Sequence, residues 1–245
     1  MFDRAAGIRE RYLRVLETVA AAARKGGRSG DAVRLVVVTK LQPVDVVRAA
    51  IEAGAQILGE NYAEEAAQKI EALGPQPEVE WHMIGHVQSR KAHIVARHFA
   101  LVHSLDSVRL AQRLSKSAAE VGRALPVLLE LNVSGEKSKH GWQAADEAHW
   151  DDLIEEIRTI ASLSNLKVRG LMTMPPLSTD PEAGRVYFEK LRRLRDFLGP
   201  RVPAAEWHEL SMGTSADFGV AVEEGATLVR VGQAILGPRP QAEGE

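Results

Sequence analysis

The sequence contains no cysteine among its 245 residues. This excludes disulfide bonds, thiolate nucleophiles and cysteine metal sites, and it is typical of proteins from a reducing compartment. No charge of one sign dominates, since the formal net charge is −2, so electrostatics gives no reason to expect nucleic acid or an anionic membrane as a partner. No apolar run approaches the roughly 18 residues of a membrane span, and the charged N-terminal segment lacks the apolar core of a signal peptide. We therefore expect a cytoplasmic protein.

The chain instead alternates short apolar runs with helical patterns. Eight runs have strand length, and most are rich in leucine or β-branched residues: RLVVVT, QILGE, WHMIG, LVHSLD, LPVLLELNV, VRGLMTM, EWHELSMG and TLVRVG. Helical periodicity occupies most of the gaps, and an amphipathic pattern from Ile8 to Val19 precedes the first run. Near-continuous apolar strands separated by helices indicate a parallel sheet covered on both faces.

This alternation predicts the fold class. We expect residues 1–245 to form one α/β domain, a (β/α)8 TIM-type barrel with an extra N-terminal helix. Such a barrel takes about 250 residues, so it would use nearly the whole chain and leave a loose tail at about 238–245. The alternative is a doubly wound open sheet, which is less favoured because no G-x-G-x-x-G fingerprint follows the first strand.

A single cation, Lys40, ends the first apolar run. Alternate residues of a strand share a face, so Val36, Val38 and Lys40 are predicted to point the same way. In a barrel, Lys40 would stand at the carboxyl end of the first strand, where the active sites of this fold are built. A lysine at a strand end can also simply extend to water. The later segments of the chain favour the first interpretation.

Two of these segments predict an anion site at the same end of the barrel. Ser211, Gly213 and Thr214 lie where the seventh apolar run gives way to a helix, and Gly232 and Gln233 lie at the end of the eighth. Each could merely begin a capped helix, but barrels often bind phosphate with the loops after strands seven and eight. Strands one and eight are neighbours in a closed barrel. The phosphate cradle and Lys40 are therefore expected to face one mouth.

A ligand with a phosphate at one end and an aldehyde at the other suits this pair, and pyridoxal 5′-phosphate is such a ligand. Lys40 would form the Schiff base with its aldehyde. Arg230 shares a strand face with Leu228 and Gly232, so it could donate to the pyridine nitrogen or pair with an inward carboxylate. Arginine does not lose its proton, so a ring nitrogen bonded to it would stay unprotonated and the ring would be a weaker electron sink.

Seven motifs carry a resemblance: VVTK, GENY, WHMIGHVQSRK, LNVSGEKSKHG, GLMTM, SMGTSADF and VRVGQAILG. In this order they resemble the pyridoxal phosphate homeostasis proteins, which are similar to the N-terminal domain of alanine racemase. The resemblance implies a single-domain barrel that binds the cofactor and maintains its cellular balance. It implies these cofactor-binding residues: Lys40 as the covalent anchor, Asn61, Ser211, Gly213, Thr214, Arg230, Gly232 and Gln233. One departure is Arg90, where the family usually has asparagine.

Two enzyme classes remain as alternatives. A racemase of the same fold type needs a second base, and the tyrosines are Tyr12, Tyr62 and Tyr187, of which only Tyr62 is predicted near the mouth. A barrel aldolase would keep Lys40 and the cradle but leave the other motifs unexplained. The sequence therefore favours a cofactor-binding and delivery protein that supplies apo-enzymes, without an established catalytic residue, and the resemblance implies a monomer. No metal site is predicted, although His82 and His86 are expected to share a strand face.

Overall fold

The polypeptide closes into a barrel of parallel strands. The computed structural model describes residues 2–238. In this range the strands are Arg34–Val38 (β1), Ile57–Glu60 (β2), Glu80–Met83 (β3), Leu101–Leu105 (β4), Leu125–Asn132 (β5), Trp142–Gln143 (β6), Leu166–Met172 (β7), Glu209–Ser211 (β8) and Leu228–Val231 (β9). Eight of these described strands pair in the order β4-β3-β2-β1-β9-β8-β7-β5, and a β4–β5 pairing closes the ring. The predicted TIM-type barrel is thus confirmed.

Helices surround this barrel. They are Phe2–Lys25 (α1), Val44–Glu52 (α2), Ala63–Leu73 (α3), Ala92–His98 (α4), Val108–Glu120 (α5), Ile154–Ala161 (α6), Arg185–Leu198 (α7), Phe218–Glu223 (α8) and Gln233–Leu236 (α9). Shorter 3₁₀ turns occupy Ser89–Lys91, Glu147–Leu153 and Pro181–Gly184. The predicted tail at 238–245 lies, apart from Pro238, outside the described residues. No helix within residues 2–238 is long and apolar enough to cross a membrane.

The strands alternate between two apolar cores, as their period of two requires. The barrel interior contains a cluster of apolar side chains: Val36, Ile57, Leu101, Leu128, Met172 and Leu228. The opposite faces of the strands pack against the helices in a much larger cluster, to which Val37 and Leu58 belong. Burying each such side chain contributes roughly 1.5–3 kcal/mol to folding before entropy is counted. The alternation predicted for the first strand is therefore present, with Val36 inside and Val37 outside.

The N-terminal helix is the extra element of the fold. α1 packs against α2, α8 and α9, and the guanidinium of its Arg11 donates to the carbonyl oxygen of Ile235 at 2.6 Å. The hydroxyl of Tyr12 donates to the carbonyl oxygen of Gly54 at 3.0 Å. This helix therefore covers the outside of the barrel where its first and last strands meet, as the register between Arg34 and Leu228 also shows.

Candidate functional site

A cavity of about 430 Å³ opens at the carboxyl ends of the strands. Its wall contains six of the eight residues that the sequence nominates: Lys40, Asn61, Thr214, Arg230, Gly232 and Gln233. These residues come from the ends of β1, β2, β8 and β9, which lie side by side in the ring. All strands are parallel, so their carboxyl ends meet at one face, and this is why residues distant in sequence share one cavity.

The lysine of this cavity stands on a tight turn. β1 ends at Val38, two residues earlier than predicted, but Val38 and Lys40 both line the cavity. The amide of Gln42 donates to the carbonyl oxygen of Thr39, which closes the turn, and Leu41 inside it has a φ of 59°. A left-handed backbone is costly for a residue with a branched side chain. The turn that presents Lys40 is therefore strained.

A buried charge network beneath the turn offsets this strain. The ammonium of Lys69 lies 2.7 Å from the carbonyl oxygen of Thr39, 2.7 Å from Glu60 Oε1 and 2.6 Å from Glu65 Oε1. Glu60 also accepts from the hydroxyl of Thr39 at 2.7 Å, and Glu65 accepts from the amide of Leu41 at 2.8 Å. Burial raises the pKa of Glu60 despite the cation beside it. Lys69 thus ties the residue before Lys40 to β2 and α3.

In the loops after β8 and β9, where the anion cradle is predicted, the polar groups are bonded to each other. The amide and hydroxyl of Thr214 both donate to Asp217 Oδ1, at 2.6 and 3.0 Å. The hydroxyl oxygen of Ser215 accepts from the amides of Gly232 and Ala234, at 3.3 and 3.4 Å. An anion that enters here therefore competes with the carboxylate of Asp217 for the Thr214 donors.

Two nominated residues, Ser211 and Gly213, stand behind the cavity wall. Ser211 is fully buried, and its hydroxyl lies between the guanidinium of Arg230 and the ring of His103. Gly213 accepts from the amide of Arg230 and has a φ of +93°, and a Cβ there would lie 2.6 Å from Ala221 Cβ. Neither residue lines the cavity. Both contact Arg230, and the direct phosphate contact expected from their hydroxyl and backbone N–H groups stays a prediction.

Arg230 is the buried cation of the site. Only 4% of it is exposed, and its guanidinium donates to Ser211 Oγ, to the carbonyl oxygen of Thr173 at 2.9 Å and to Met174 Sδ at 2.9 Å. Burial lowers its pKa to about 10, and the carboxylates of Glu130 and Asp217 oppose that shift. Arg230 therefore stays cationic near neutral pH and lies in the cavity wall as a fixed donor.

Sequence reasoning missed several residues of the wall: Val38, Ile84, Gly85, His86, Met174, Leu177, Ser215 and Ala216. Gly85 carried a usable signal, because it ends the third apolar run, where a barrel places its site residues. A Cβ on Gly85 would lie 2.5 Å from the carbonyl oxygen of Asn61, so glycine lets the loops after β2 and β3 approach each other. Leu177 lies beyond any strand in a loop, and no pattern indicated its position.

The two histidines expected on one strand face are separated. β3 ends at Met83, so His82 points into the barrel interior and His86 stands exposed at the mouth. His86 Nδ1 lies 2.9 Å from Asp106 Oδ2, and its ring stacks on His140 at 4.6 Å. The ligand atoms of His86, Asp106 and His140 lie within 4.8 Å of one another, a spacing that could hold a metal ion. His86 and Asn61 also line a neighbouring cavity of about 570 Å³.

Comparison with known proteins agrees with this architecture. The family described as "Alanine racemase, N-terminal domain" matches residues 16–240. A "Pyridoxal phosphate homeostasis protein" of Aquifex aeolicus is 40% identical over 230 residues, covering 94% of this chain and 97% of the relative. PipY of Synechococcus elongatus, solved with PLP bound, has a TM-score of 0.80 at 33% identity, covering 94% of this chain and all of that one. An alanine racemase of Streptomyces lavendulae shares only the fold, with a TM-score of 0.68 at 20% identity; the match covers 92% of this chain and 58% of the racemase.

Proposed function

The chain belongs to the pyridoxal phosphate homeostasis proteins, which carry the alanine racemase N-terminal domain, and from this premise we propose that it binds pyridoxal 5′-phosphate in the 430 Å³ cavity and maintains the cellular balance of that cofactor. The single observation that carries the proposal is that Lys40, Arg230 and the loops after β8 and β9 line one cavity. The cavity thus offers an amine for the aldehyde, a donor for the ring nitrogen and an anion site for the phosphate. The relative PipY, solved with PLP bound, supports the proposal.

Lys40 is the covalent anchor in this proposal. Its neutral amine would hold the cofactor, whose aldehyde would supply the carbon of a Schiff base, with water as the leaving group. The turn from Thr39 to Gln42 directs the side chain into the cavity, and the ammonium of Lys69 holds that turn from below. A fixed approach direction favours bond formation, because less freedom is lost when the amine meets the aldehyde.

Arg230 is proposed to donate to the pyridine nitrogen. Its guanidinium has five N–H groups, and three contacts within the described chain use three of them. The remaining two can reach the ligand without breaking the contacts that hold the side chain. The pKa of Arg230 is about 10, so it donates without giving up its proton at neutral pH. The bound ring then lacks the positive nitrogen that strong electron withdrawal requires.

The phosphate is proposed to bind at Thr214, Gly232 and Gln233, where the loops after β8 and β9 meet. Gly232 is the N-cap residue of α9, and its amide donates to the hydroxyl oxygen of Ser215, which joins the loop after β9 to the loop after β8. A Cβ at Gly232 would lie 3.1 Å from the Val38 carbonyl oxygen, so a larger residue would push the loops apart. Asn61, which follows β2, also lines the cavity and is proposed to contact the bound cofactor. Ser211 and Gly213 act through Arg230.

A carrier fits the site better than a racemase. Among the described residues, no tyrosine lines this cavity: Tyr12 is bonded to Gly54 in the outer layer, Tyr187 lies on α7, and Tyr62 lines the neighbouring cavity. A second base opposite Lys40 would be needed for racemisation. We therefore propose that the protein holds the cofactor as a monomer in the cytoplasm and supplies it to apo-enzymes. Delivery predicts that the protein loaded with cofactor reconstitutes an apo-enzyme faster than an equal amount of free cofactor does.

Absorbance spectroscopy tests the anchor directly. Purified wild type should show a band near roughly 420 nm with added pyridoxal phosphate, and borohydride should remove it and leave the cofactor attached. Lys40→Ala should lack the band and retain only reversible, phosphate-driven binding. Lys116→Ala is the matched control, since Lys116 is exposed on α5, and it should match wild type. A wild-type spectrum in Lys40→Ala would refute the assignment of Lys40, and no band in any variant would refute the proposed ligand.

A further inference from the structure

A chain of hydrogen-bonded side chains crosses the barrel interior and ends at Arg230. Glu80 Oε2 lies 3.2 Å from His82 Nε2, and His82 Nδ1 lies 3.0 Å from His103 Nε2. His103 Nδ1 lies 2.7 Å from Ser211 Oγ, to which Arg230 Nη1 donates. The two histidines and Ser211 are buried almost completely. The chain therefore runs from the amino-terminal end of β3, through the core, to the wall of the cofactor cavity.

The direction of every hydrogen bond in this chain follows from one end. The bond to His82 lowers the pKa of Glu80, and an ionised carboxylate can only accept, so His82 holds a hydrogen on Nε2 and donates it to Glu80. With His82 neutral, its Nδ1 carries no hydrogen and accepts from His103 Nε2–H. By the same reasoning His103 Nδ1 accepts from the hydroxyl of Ser211, whose oxygen accepts from Arg230. Both histidines are therefore neutral Nε2–H tautomers.

The four hydrogen-bonded contacts from Glu80 to Arg230 contain one hydrogen each. An added proton on either histidine would leave two hydrogens facing each other in one of these contacts. The charged groups around these contacts also oppose a positive imidazole. Arg34 lowers the pKa of both histidines, and Arg230 lowers that of His103. Glu80 and Glu209 raise the pKa of His82 alone. Burial lowers the pKa of both His82 and His103, and that of His103 most strongly. The neutral state that the bonding pattern requires is thus also the electrostatically favoured one.

We propose that Glu80, His82, His103 and Ser211 are positioning residues that hold the guanidinium of Arg230 in one orientation at the cavity wall. Their role is orientation and not proton conduction, because a proton could leave the cavity along this path only if Arg230 gave one up. The part of the inference that concerns the cofactor rests on the proposed function. The part that concerns tautomers and the mobility of Arg230 is independent of it.

Nuclear magnetic resonance of the cofactor-free protein tests the independent part. Long-range ¹⁵N–¹H spectra of histidine-labelled protein distinguish the two neutral tautomers from the cation for each of the eight histidines. His82 and His103 should both be Nε2–H tautomers at neutral pH. Arginine-labelled protein should show separate, slowly exchanging guanidinium signals for Arg230, which average in Ser211→Ala. An Nδ1–H or cationic form of either histidine, or an unchanged Arg230 signal in Ser211→Ala, would overturn the inference.

Titration with pyridoxal phosphate tests the part that concerns the ligand. Ser211→Ala should bind it about tenfold more weakly, because one charge-assisted hydrogen bond that orients Arg230 is lost. At saturation its absorbance maximum should also move, since the contact to the ring nitrogen changes. Ser115→Ala, which removes another buried hydroxyl but on the outer helix α5, should match wild type in both respects. Wild-type affinity and band position in Ser211→Ala would contradict positioning, whereas absence of binding by wild type would contradict only the proposed ligand.

Discussion

Lys69 offers the sharpest test of how the turn that carries Lys40 is held in place. We predict that Lys69→Met, which keeps the length of the side chain and removes its charge, destabilises the protein strongly. Only 5% of Lys69 is exposed, and its ammonium contacts Thr39, Glu60 and Glu65 within 2.7 Å. The substitution leaves Glu60 fully buried with one remaining contact, to the hydroxyl of Thr39.

The expected magnitude follows from burial. Breaking a buried ion pair by removing one partner costs about 3–5 kcal/mol, because the other charge stays buried without compensation. Burial already raises the pKa of Glu60, so this carboxyl can take up a proton and limit the loss. We therefore expect a decrease of about 3 kcal/mol in the free energy of unfolding at pH 7. The double variant Lys69→Met/Glu60→Leu should recover at least half of it, since no isolated charge remains.

Equilibrium unfolding in urea measures these free energies, and Lys116→Met on the surface of α5 is the matched control, with an expected effect within about 0.5 kcal/mol. Cofactor titration is the second assay. Lys69→Met should weaken binding of pyridoxal phosphate, because Thr39 directly precedes Lys40 and loses the donor on its carbonyl. A cost below about 1 kcal/mol, or a double variant no more stable than the single one, would refute the view that this buried pair holds the turn.

Three further predictions concern the cavity and its rim. Leu41→Gly should stabilise the protein by about 1 kcal/mol in urea unfolding, because glycine adopts a φ of 59° without strain; lower stability would show that no strain is stored there. Burial and Asp106 raise the pKa of Glu130 to about 7, above its usual 4.5, so its contribution to stability is present below pH 4.5 and lost as pH rises to 7. Between pH 4.5 and 7 the free energy of unfolding of wild type should therefore fall by up to about 3 kcal/mol relative to that of Glu130→Gln. A difference between the two proteins that does not change with pH would contradict the raised pKa. Gly85→Ala should cost about 1–3 kcal/mol and weaken cofactor binding, because its Cβ would meet the Asn61 backbone; wild-type affinity would show that the loops can separate freely.

The sequence could predict the barrel because local signals agree with each other. Strand alternation placed Val36 inside and Val37 outside, and it carried Lys40 to the mouth even though β1 ends at Val38. Parallel strands present their carboxyl ends at one face of a barrel. This rule predicted that Lys40 and Arg230 share one cavity, without any knowledge of contacts between them.

The interior of the site was harder to predict, because it depends on which strands pair. A small hydroxyl residue before a helix looks the same in sequence whether it faces a ligand or, like Ser211, a buried histidine. His82 and His103 each interrupt an apolar run, which was a signal for a buried polar contact. Their contact depends on the register of β3 with β4, in which His82 lies opposite Leu101. Neither apolar run by itself indicates this register. For the same reason the contacts of Lys69 with Thr39 and Glu60 could not be foreseen.

Because β1 pairs with β9, the site is completed only late in the synthesis of the polypeptide. Lys40 leaves the ribosome early, but Arg230 and Gly232 are among the last described residues to emerge, and the register of Val36 with Arg230 forms only then. The nascent chain therefore presents Lys40 long before it has a cavity. A ligand held by both strands would connect them across this seam and stabilise the closed ring by a free energy that grows with the logarithm of its concentration divided by its dissociation constant. Without a ligand, the contacts between β1 and β9 alone close the barrel where it begins and ends.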